Sequence, residues 1–211
     1  MTAANDASES ACYPLPARKE GSSMEFLAEL WLPIALAAVF VFVASSILHM
    51  CLPIHKGDYG KLAGEDQVLD TMRASGVSPG AYMFPCPASM KDMATPEMIE
   101  KFERGPVGFL TVVPSGAPGM GKNLVQWFLY SVLISVFVGY LTWNALVPGA
   151  AYLSVFRISG TIAVLAYGIA VIPDSIWKGV PCKITLKFVF DGVVYGLVTA
   201  GAFAWLWPAA V

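Results

Sequence analysis

Residues 30–52 read LWLPIALAAVFVFVASSILHMCL, and this stretch decides the fold class of the 211-residue chain. No Asp, Glu, Lys or Arg lies between Glu29 and Lys56. The hydrocarbon core of a bilayer is about 30 Å thick, so a helix needs about 20 mostly apolar residues to cross it. The stretch is too long for the apolar region of a signal peptide, about 7–15 residues, and no cleavage site follows it. We therefore expect a retained transmembrane helix over residues 24–52.

Three more apolar runs follow in the second half of the chain. Residues 123–156 carry no charge, and Pro148-Gly149 divides this region because a Pro-Gly pair interrupts helices. Further predicted transmembrane helices cover residues 123–147, 152–177 and 187–208. Helices are the expected form because every backbone amide in hydrocarbon needs an internal hydrogen bond. The sequence thus predicts an all-α integral membrane protein with four transmembrane helices.

The composition agrees with this fold class. Hydrophobic residues make up 56% of the chain and charged residues 13%, against roughly 45–50% and 25% in soluble domains. A soluble enzyme is therefore excluded, and a net charge of −2 argues against nucleic acid as a partner. The expected partners are the lipid bilayer and either other membrane protein subunits or a second copy of the chain. The four cysteines are too irregularly spaced for a disulfide framework.

A polar segment at 53–122 separates the first two predicted transmembrane helices, and its patterning predicts a small cytoplasmic α+β module. Thr95-Pro96-Glu97 is typical of a helix start, with Thr as the cap and Pro at the first helical position. The predicted elements of the module are helices over 65–74 and 95–105 and short strands at 81–84 and 107–113. Residues 1–23 are polar and indicate a flexible tail.

Lysine and arginine predict the orientation of the chain. Ten of the 13 fall in segments 53–122 and 174–187, which share one side of a four-span protein; the others are Arg18, Lys19 and Arg157. Because cytoplasmic loops are enriched in Lys and Arg, we expect both termini to lie outside the cytoplasm.

Ionisable residues near the fourth predicted helix form one candidate site. Asp191 lies about one turn inside that helix, four residues after Lys187, a spacing that permits an ion pair. Asp174 ends the third helix on the same side. Charged groups inside a membrane are costly and usually face a bundle interior or a water-filled cavity. The group Asp174, Lys187 and Asp191 indicates either a proton- or ion-coupled site, as in a small oligomeric transporter, or a salt bridge that fixes helix depth.

The segment from His49 to His55 forms a second candidate site. His49, Cys51 and His55 offer imidazole and thiolate groups, which are good ligands for transition metals. However, Pro53 interrupts the helix between the histidines, and no fourth ligand is apparent. A metal-handling protein and a plain interfacial histidine beside a buried cysteine both remain open. Haem is disfavoured because both histidines lie on one segment, and the sequence requires no cofactor.

Small residues recur every four positions in the fourth predicted helix, at Gly192, Gly196 and Ala200. The third carries Gly160 and Gly168. Small residues at this spacing let transmembrane helices approach closely. They indicate a packing face that closes the bundle or docks another protein.

Three stretches resemble a group of small bacterial membrane proteins without a known activity: HKGDYGKL at 55–62, MGKNLVQWF at 120–128 and DGVVYGLVTAGAFAWLWP at 191–208. The similarity covers about residues 45–208. It implies a bacterial inner membrane location and four spans, and it brings no catalytic residue.

The expected function follows from these features together. Because no complete catalytic set is present, we expect a non-enzymatic accessory subunit or scaffold of a membrane complex. The alternatives are an ion-coupled transporter that uses Asp191 and Asp174, and a metal-handling protein that uses His49, Cys51 and His55.

Overall fold

A computed structural model describes residues 24–117 and 119–210 of the chain. Within these residues, four helices are long and apolar enough to cross a membrane: Glu25–Cys51, Met120–Ala145, Tyr152–Trp177 and Cys182–Trp205. A small two-stranded sheet accompanies them. The prediction of four long apolar helices with a small α+β insertion is therefore confirmed. The predicted tail at 1–23 lies outside the described residues.

The first long helix has an irregular end that shapes the site described below. Helix α1 (Glu25–Ser46) continues into a wide π-helical turn, Ile47–Cys51, and then stops at Leu52. Leu52 is extended, with φ −98° and ψ 144°, because Pro53 disfavours the helical conformation of the residue before it. A 3₁₀ turn, Pro53–His55, follows directly.

The polar insertion contains the predicted helices and strands. Helix α2 covers Glu65–Ala74, strand β1 Gly80–Phe84, helix α3 Pro96–Arg104 and strand β2 Gly108–Val112, and the strands pair antiparallel. The Thr95 hydroxyl accepts a hydrogen bond from the Met98 amide at 3.4 Å, as the capping pattern predicts. None of the described residues in these four elements is buried. The insertion therefore lacks a core of its own.

The remaining helices complete the bundle. Helix α4 covers Met120–Ala145, α5 covers Tyr152–Tyr167, and a 3₁₀ turn then leads to the short α6, Ile172–Trp177. Helix α7 covers Cys182–Trp205. It begins before the predicted start at 187, because Pro181 sets the helix start and the lysines of the first turns are compatible with helix.

The four long helices pack in a ring. Helix α1 contacts α4 and α7, and α5 contacts the same two helices. Helices α4 and α7 therefore occupy opposite corners and turn side chains toward a common interior. Apolar residues fill much of that interior, among them Leu30, Val41, Val138, Val155 and Phe203.

The tightest helix contact joins α5 and α7. A Cβ atom on Gly192 would lie 2.2 Å from the Cα atom of Gly168, and one on Gly196 would lie 2.4 Å from a side-chain carbon of Val164. A Cβ on Gly160 would lie 3.0 Å from that of Ala200. The small residues singled out in the sequence thus lie within the bundle at this contact, and Gly168 and Gly192 allow the two backbones to meet.

Candidate metal centre

Two histidines meet at the end of α1 because the chain changes its helical form there. His49 lies in the π turn, and His55 closes the 3₁₀ turn that starts at Pro53. Their rings are stacked, with centroids 4.2 Å apart and planes within 5°. Phe188 of α7 lies beside the pair, with its ring centre 5.2 Å from that of His55. Turns of the π type are rare and often occur at functional sites.

Asp191 of α7 approaches both histidines from the bundle interior. Its side chain is 2% exposed. One carboxylate oxygen, Oδ2, lies 2.8 Å from Nε2 of His55 and 3.8 Å from Nε2 of His49. One ligand atom from each of the three residues lies within 4.8 Å of the other two. We call His49, His55 and Asp191 the His-His-Asp cluster.

The outer nitrogen of each imidazole is already engaged. Nδ1 of His49 lies 3.1 Å from the carbonyl oxygen of Ser45, and Nδ1 of His55 lies 2.7 Å from Oδ2 of Asp58. A carbonyl or carboxylate oxygen can only accept, so Nδ1 carries the proton and donates in both rings. In the neutral imidazole, Nε2 then keeps its lone pair and faces Asp191. Histidines that bind metals in proteins are held in this way, through the ring nitrogen that does not bind the ion.

Asp58 is positioned by a tight turn and a lysine. The amide of Asp58 donates to the carbonyl of His55 at 3.2 Å, and Gly57 between them has φ +89°, a conformation that favours glycine. The ammonium group of Lys187 donates a hydrogen bond to the other carboxylate oxygen of Asp58. This bond is the largest cause that holds the pKa of Asp58 below its ordinary value. Asp58 is therefore an ionised acceptor for His55.

The interior side of the cluster lacks hydrogen bonds. Among the described residues, neither oxygen of Asp191 nor Nε2 of His55 has a partner in hydrogen-bond alignment, although the two groups are 2.8 Å apart. A buried carboxylate facing two lone pairs is unfavourable unless a cation compensates it. The cluster therefore needs either a metal ion or a proton shared with histidine.

Comparisons of the chain with protein-family models, with curated proteins and with solved structures give no match. The His-His-Asp cluster is the only group of three metal-ligating side chains found within the described residues.

The structure joins parts of two sites that the sequence analysis treated separately. His49 and His55 come from one and Asp191 from the other, and they meet because the C-terminal end of α1 lies beside the N-terminal half of α7. Cys51 does not belong to the cluster, and its side chain is exposed. It follows His49 by two residues, and residues two apart on a helix do not share a face.

The expected pairing of Asp191 with Lys187 and Asp174 is not what the structure shows. Lys187 binds Asp58 instead. Asp174 lies half-exposed in α6, with Oδ1 2.8 Å from Nζ of Lys178. The physical reason is orientation, because Asp191 faces the bundle interior whereas Asp174 and Lys178 lie on its surface.

Asp58 is the residue that sequence reasoning missed. The available signal was local: an acidic residue three positions after His55, with a glycine between them that allows the chain to turn. A carboxylate so placed can reach back to the imidazole.

Proposed function

We propose that this chain is a multi-pass membrane metalloprotein that binds one divalent transition-metal ion through His49, His55 and Asp191. The observation that supports this most directly is the pair of imidazoles whose Nδ1 protons are both engaged and whose Nε2 atoms face one carboxylate oxygen. Two imidazole nitrogens and a carboxylate oxygen suit divalent first-row metals such as zinc, iron and copper.

Three protein ligands leave coordination positions open. Structural zinc sites usually have four protein ligands, whereas sites that act on a substrate have three and keep a position for water or substrate. His49 provides access, because its side chain is 39% exposed. Coordination by both rings also requires His49 to turn out of the stack, since one ion cannot lie in both parallel ring planes. The exposure of His49 leaves room for this rotation.

The proposed setting is a bacterial inner membrane, with both termini outside the cytoplasm and the metal centre near the cytoplasmic face. The four long apolar helices, the distribution of Lys and Arg, and the resemblance of three stretches to small bacterial membrane proteins support it. A reporter that folds only outside the cytoplasm, fused after Val211, tests the orientation. We expect the reporter to be active. A stable fusion protein with an inactive reporter would show that the C-terminal end lies in the cytoplasm, opposite to the proposed orientation.

Metal stoichiometry is the direct test of the proposed function. The protein is purified in mild detergent, stripped with a chelator and titrated with Co²⁺, whose visible spectrum reports coordination, and then with Zn²⁺ as competitor. We expect about one ion per chain for the natural sequence and loss of that ion in His55→Ala.

The controls for this titration are Cys51→Ser and Asp174→Asn, which alter the residues that the structure separates from the cluster. Both should keep the full stoichiometry. A folded natural protein that binds neither ion would show instead that the cluster is a proton-compensated ion pair, with a charged His55 between Asp58 and Asp191. If the control variants lost the metal ion to the same extent as His55→Ala, the assignment of His49, His55 and Asp191 as the ligands would also be overturned.

A second proposal, that the chain is an accessory subunit or scaffold of a membrane complex, is supported by the polar insertion. Its helices and strands expose large apolar side chains, including Val68, Leu69, Phe84, Ile99 and Phe109. A segment with no buried residue in its described elements gains stability by docking on another surface. Native-size analysis after extraction at natural expression level tests this: co-migration with a larger assembly supports it, and migration as a single chain contradicts it.

A further inference from the structure

The polar insertion between α1 and α4 keeps its charged residues in two segments. Residues 53–74 and 91–104, which contain helices α2 and α3, carry all of its Asp, Glu, Lys and Arg except Lys122. Residues 75–90 and 105–121, which contain strands β1 and β2, carry none. The insertion therefore consists of a charged helical part and an uncharged sheet.

One face of this sheet is apolar although it is exposed. Side chains alternate between the two faces of a strand, and along β2 the exposure alternates in the same way, with Leu110 and Val112 half-buried and their neighbours exposed. Phe109 is 53% exposed and Val113, directly after the strand, 70%. We call this side the outer sheet face; its residues are Ala81, Met83, Val107, Phe109, Thr111 and Val113. The exposed face of an antiparallel sheet is usually polar, whereas here only Thr111 is.

A short connection joins the outer sheet face to α4. Residues 113–119 separate β2 from this helix, and a chain extends at most about 3.6 Å per residue, so the end of β2 lies within about 29 Å of the start of α4. Exposed apolar side chains continue along the connection, from Val113 to Met120, and then along the outside of α4 at Val125 and Leu129. The outer sheet face is thus continuous with the surface that α4 presents to the proposed bilayer.

The other connection of the insertion is fixed to the same end of the bundle. The ammonium group of Lys187 on α7 donates a hydrogen bond to Asp58, and the next residue, Tyr59, is 92% exposed. Leu62 is exposed as well. Tyrosine is enriched where membrane meets water, because its ring is apolar and its hydroxyl polar. Both connections therefore hold the insertion close to one surface of the bilayer.

We propose that the outer sheet face lies on the bilayer surface, with its apolar side chains among the upper parts of the lipid acyl chains. Exposed apolar patches of this kind mark contacts with membranes or proteins, and the bilayer is within reach of both connections. The face carries no charged side chain, so it binds lipid without requiring anionic headgroups. This docking rests on the proposed membrane setting and is independent of metal binding. It leaves the apolar side chains of α2 and α3 available to a protein partner.

Quenching by labelled lipid tests the docking. In a background where the four native cysteines are replaced by serine, Phe109→Cys and, as control, Glu100→Cys on the exposed side of α3 are labelled with an environment-sensitive fluorophore. The full chain is reconstituted in phosphatidylcholine vesicles with a nitroxide on the acyl chain near the headgroup. Because surface-docked apolar groups enter the bilayer by about 5–10 Å, the label at position 109 should be quenched at least about threefold more than the label at 100. Equal quenching at both positions would overturn the proposal.

A charge on the outer sheet face should release it from the lipid. Val113→Glu, added to the labelled Phe109→Cys variant, should lower the quenching at least about twofold, because a carboxylate is costly to remove from water. Val113→Leu, which keeps the side chain apolar, should preserve it. Position 113 is exposed, so neither change alters a buried contact. Undiminished quenching in the Val113→Glu variant would contradict docking through this face.

Lipid composition separates apolar docking from attraction to charged headgroups. The quenching at position 109 should be the same in vesicles with and without anionic lipid, since the outer sheet face has no cation to contribute. Quenching that appears only with anionic lipid would overturn the proposed mode of binding.

A second copy of the chain is the other occupant that these measurements distinguish. A label at position 109 that is shielded from a water-soluble quencher, is not quenched by the lipid nitroxide and becomes accessible on dilution into excess lipid would assign the face to contact between copies, and would overturn the proposal. The metal titration depends on the His-His-Asp cluster and is done in detergent. Its failure would leave the quenching unchanged, and failure of the docking would leave the metal stoichiometry unchanged.

Discussion

Two rows of residues on helix α7 are offset from each other by one position in the sequence. One row consists of small residues that pack against another helix, and the other consists of buried polar residues. Gly192, Gly196 and Ala200, the glycine row, face α5 and allow direct backbone contact. Asp191, Tyr195 and Thr199, the polar row, face the interior and lack hydrogen-bond partners among the described residues. The glycine row holds α7 against α5, and the polar row contributes Asp191 to the proposed metal centre. Substitutions one residue apart should therefore have opposite consequences.

Substitution in the glycine row should have the largest effect. Gly192→Ala places a methyl group 2.2 Å from the backbone of Gly168, so α5 and α7 must separate. We expect a loss of more than about 3 kcal/mol in unfolding free energy and poor recovery of monodisperse protein. The measurement is thermal unfolding in detergent.

The matched control lies on the same helix. A Cβ on Gly201 would meet nothing within 4 Å, and alanine is intrinsically better than glycine in a helix by up to about 1 kcal/mol. Gly201→Ala should therefore be neutral or slightly stabilising. Similar destabilisation by both changes would show that the tight α5–α7 contact is not what fixes α7.

Substitution in the polar row should abolish ligand binding and keep the fold. Asp191→Asn preserves the shape of the side chain and removes the carboxylate that binds the ion, so the variant should fold and its metal-free form should unfold close to the temperature of the metal-free natural protein. The natural protein should gain about 2.7 kcal/mol of stability when Zn²⁺ is present at 100 times its dissociation constant. The variant should gain nothing.

Asp174→Asn is the control for this comparison, because Asp174 is half-exposed and paired with Lys178. It should keep the full gain from Zn²⁺. If Zn²⁺ stabilised Asp191→Asn as much as it stabilises the natural protein, Asp191 would not be a metal ligand.

The outer partner of the cluster should have a smaller effect. Asp58→Asn keeps a group that can accept from His55 but removes the charge that Lys187 holds in place. Changes in such outer contacts typically weaken metal affinity about 10–100-fold. Competition with a chelator of known affinity measures the change. An affinity equal to that of the natural protein would show that the contact between Asp58 and His55 does not support coordination.

The smallest effect is expected at Cys51. Its side chain is exposed and lies outside the cluster, so Cys51→Ser should leave metal affinity unchanged in the same competition assay. A clear fall in metal affinity would show that the Cys51 thiolate is a ligand.

The sequence predicted the long helices because their apolar runs are set by local composition, and it predicted the start of α3 because the Thr95 cap acts on its own first turn. It could not predict the cluster, since His55 and Asp191 meet only when the ends of α1 and α7 pack together. The π turn that turns His49 toward Asp191 also has no local signal. Asp174 appeared equivalent to Asp191 because depth in a helix can be read from sequence, whereas the direction of a side chain depends on the neighbouring helices.

X-ray absorption at the zinc edge of the loaded protein tests the metal centre most directly. If His49, His55 and Asp191 bind the ion, the nearest shell should contain only nitrogen and oxygen, at about 2.0–2.2 Å, with the outer-shell scattering of two imidazole rings. His55→Ala should lose one imidazole or the ion itself. A sulfur neighbour at about 2.3 Å, or zinc that stays fully hydrated, would contradict the His-His-Asp centre.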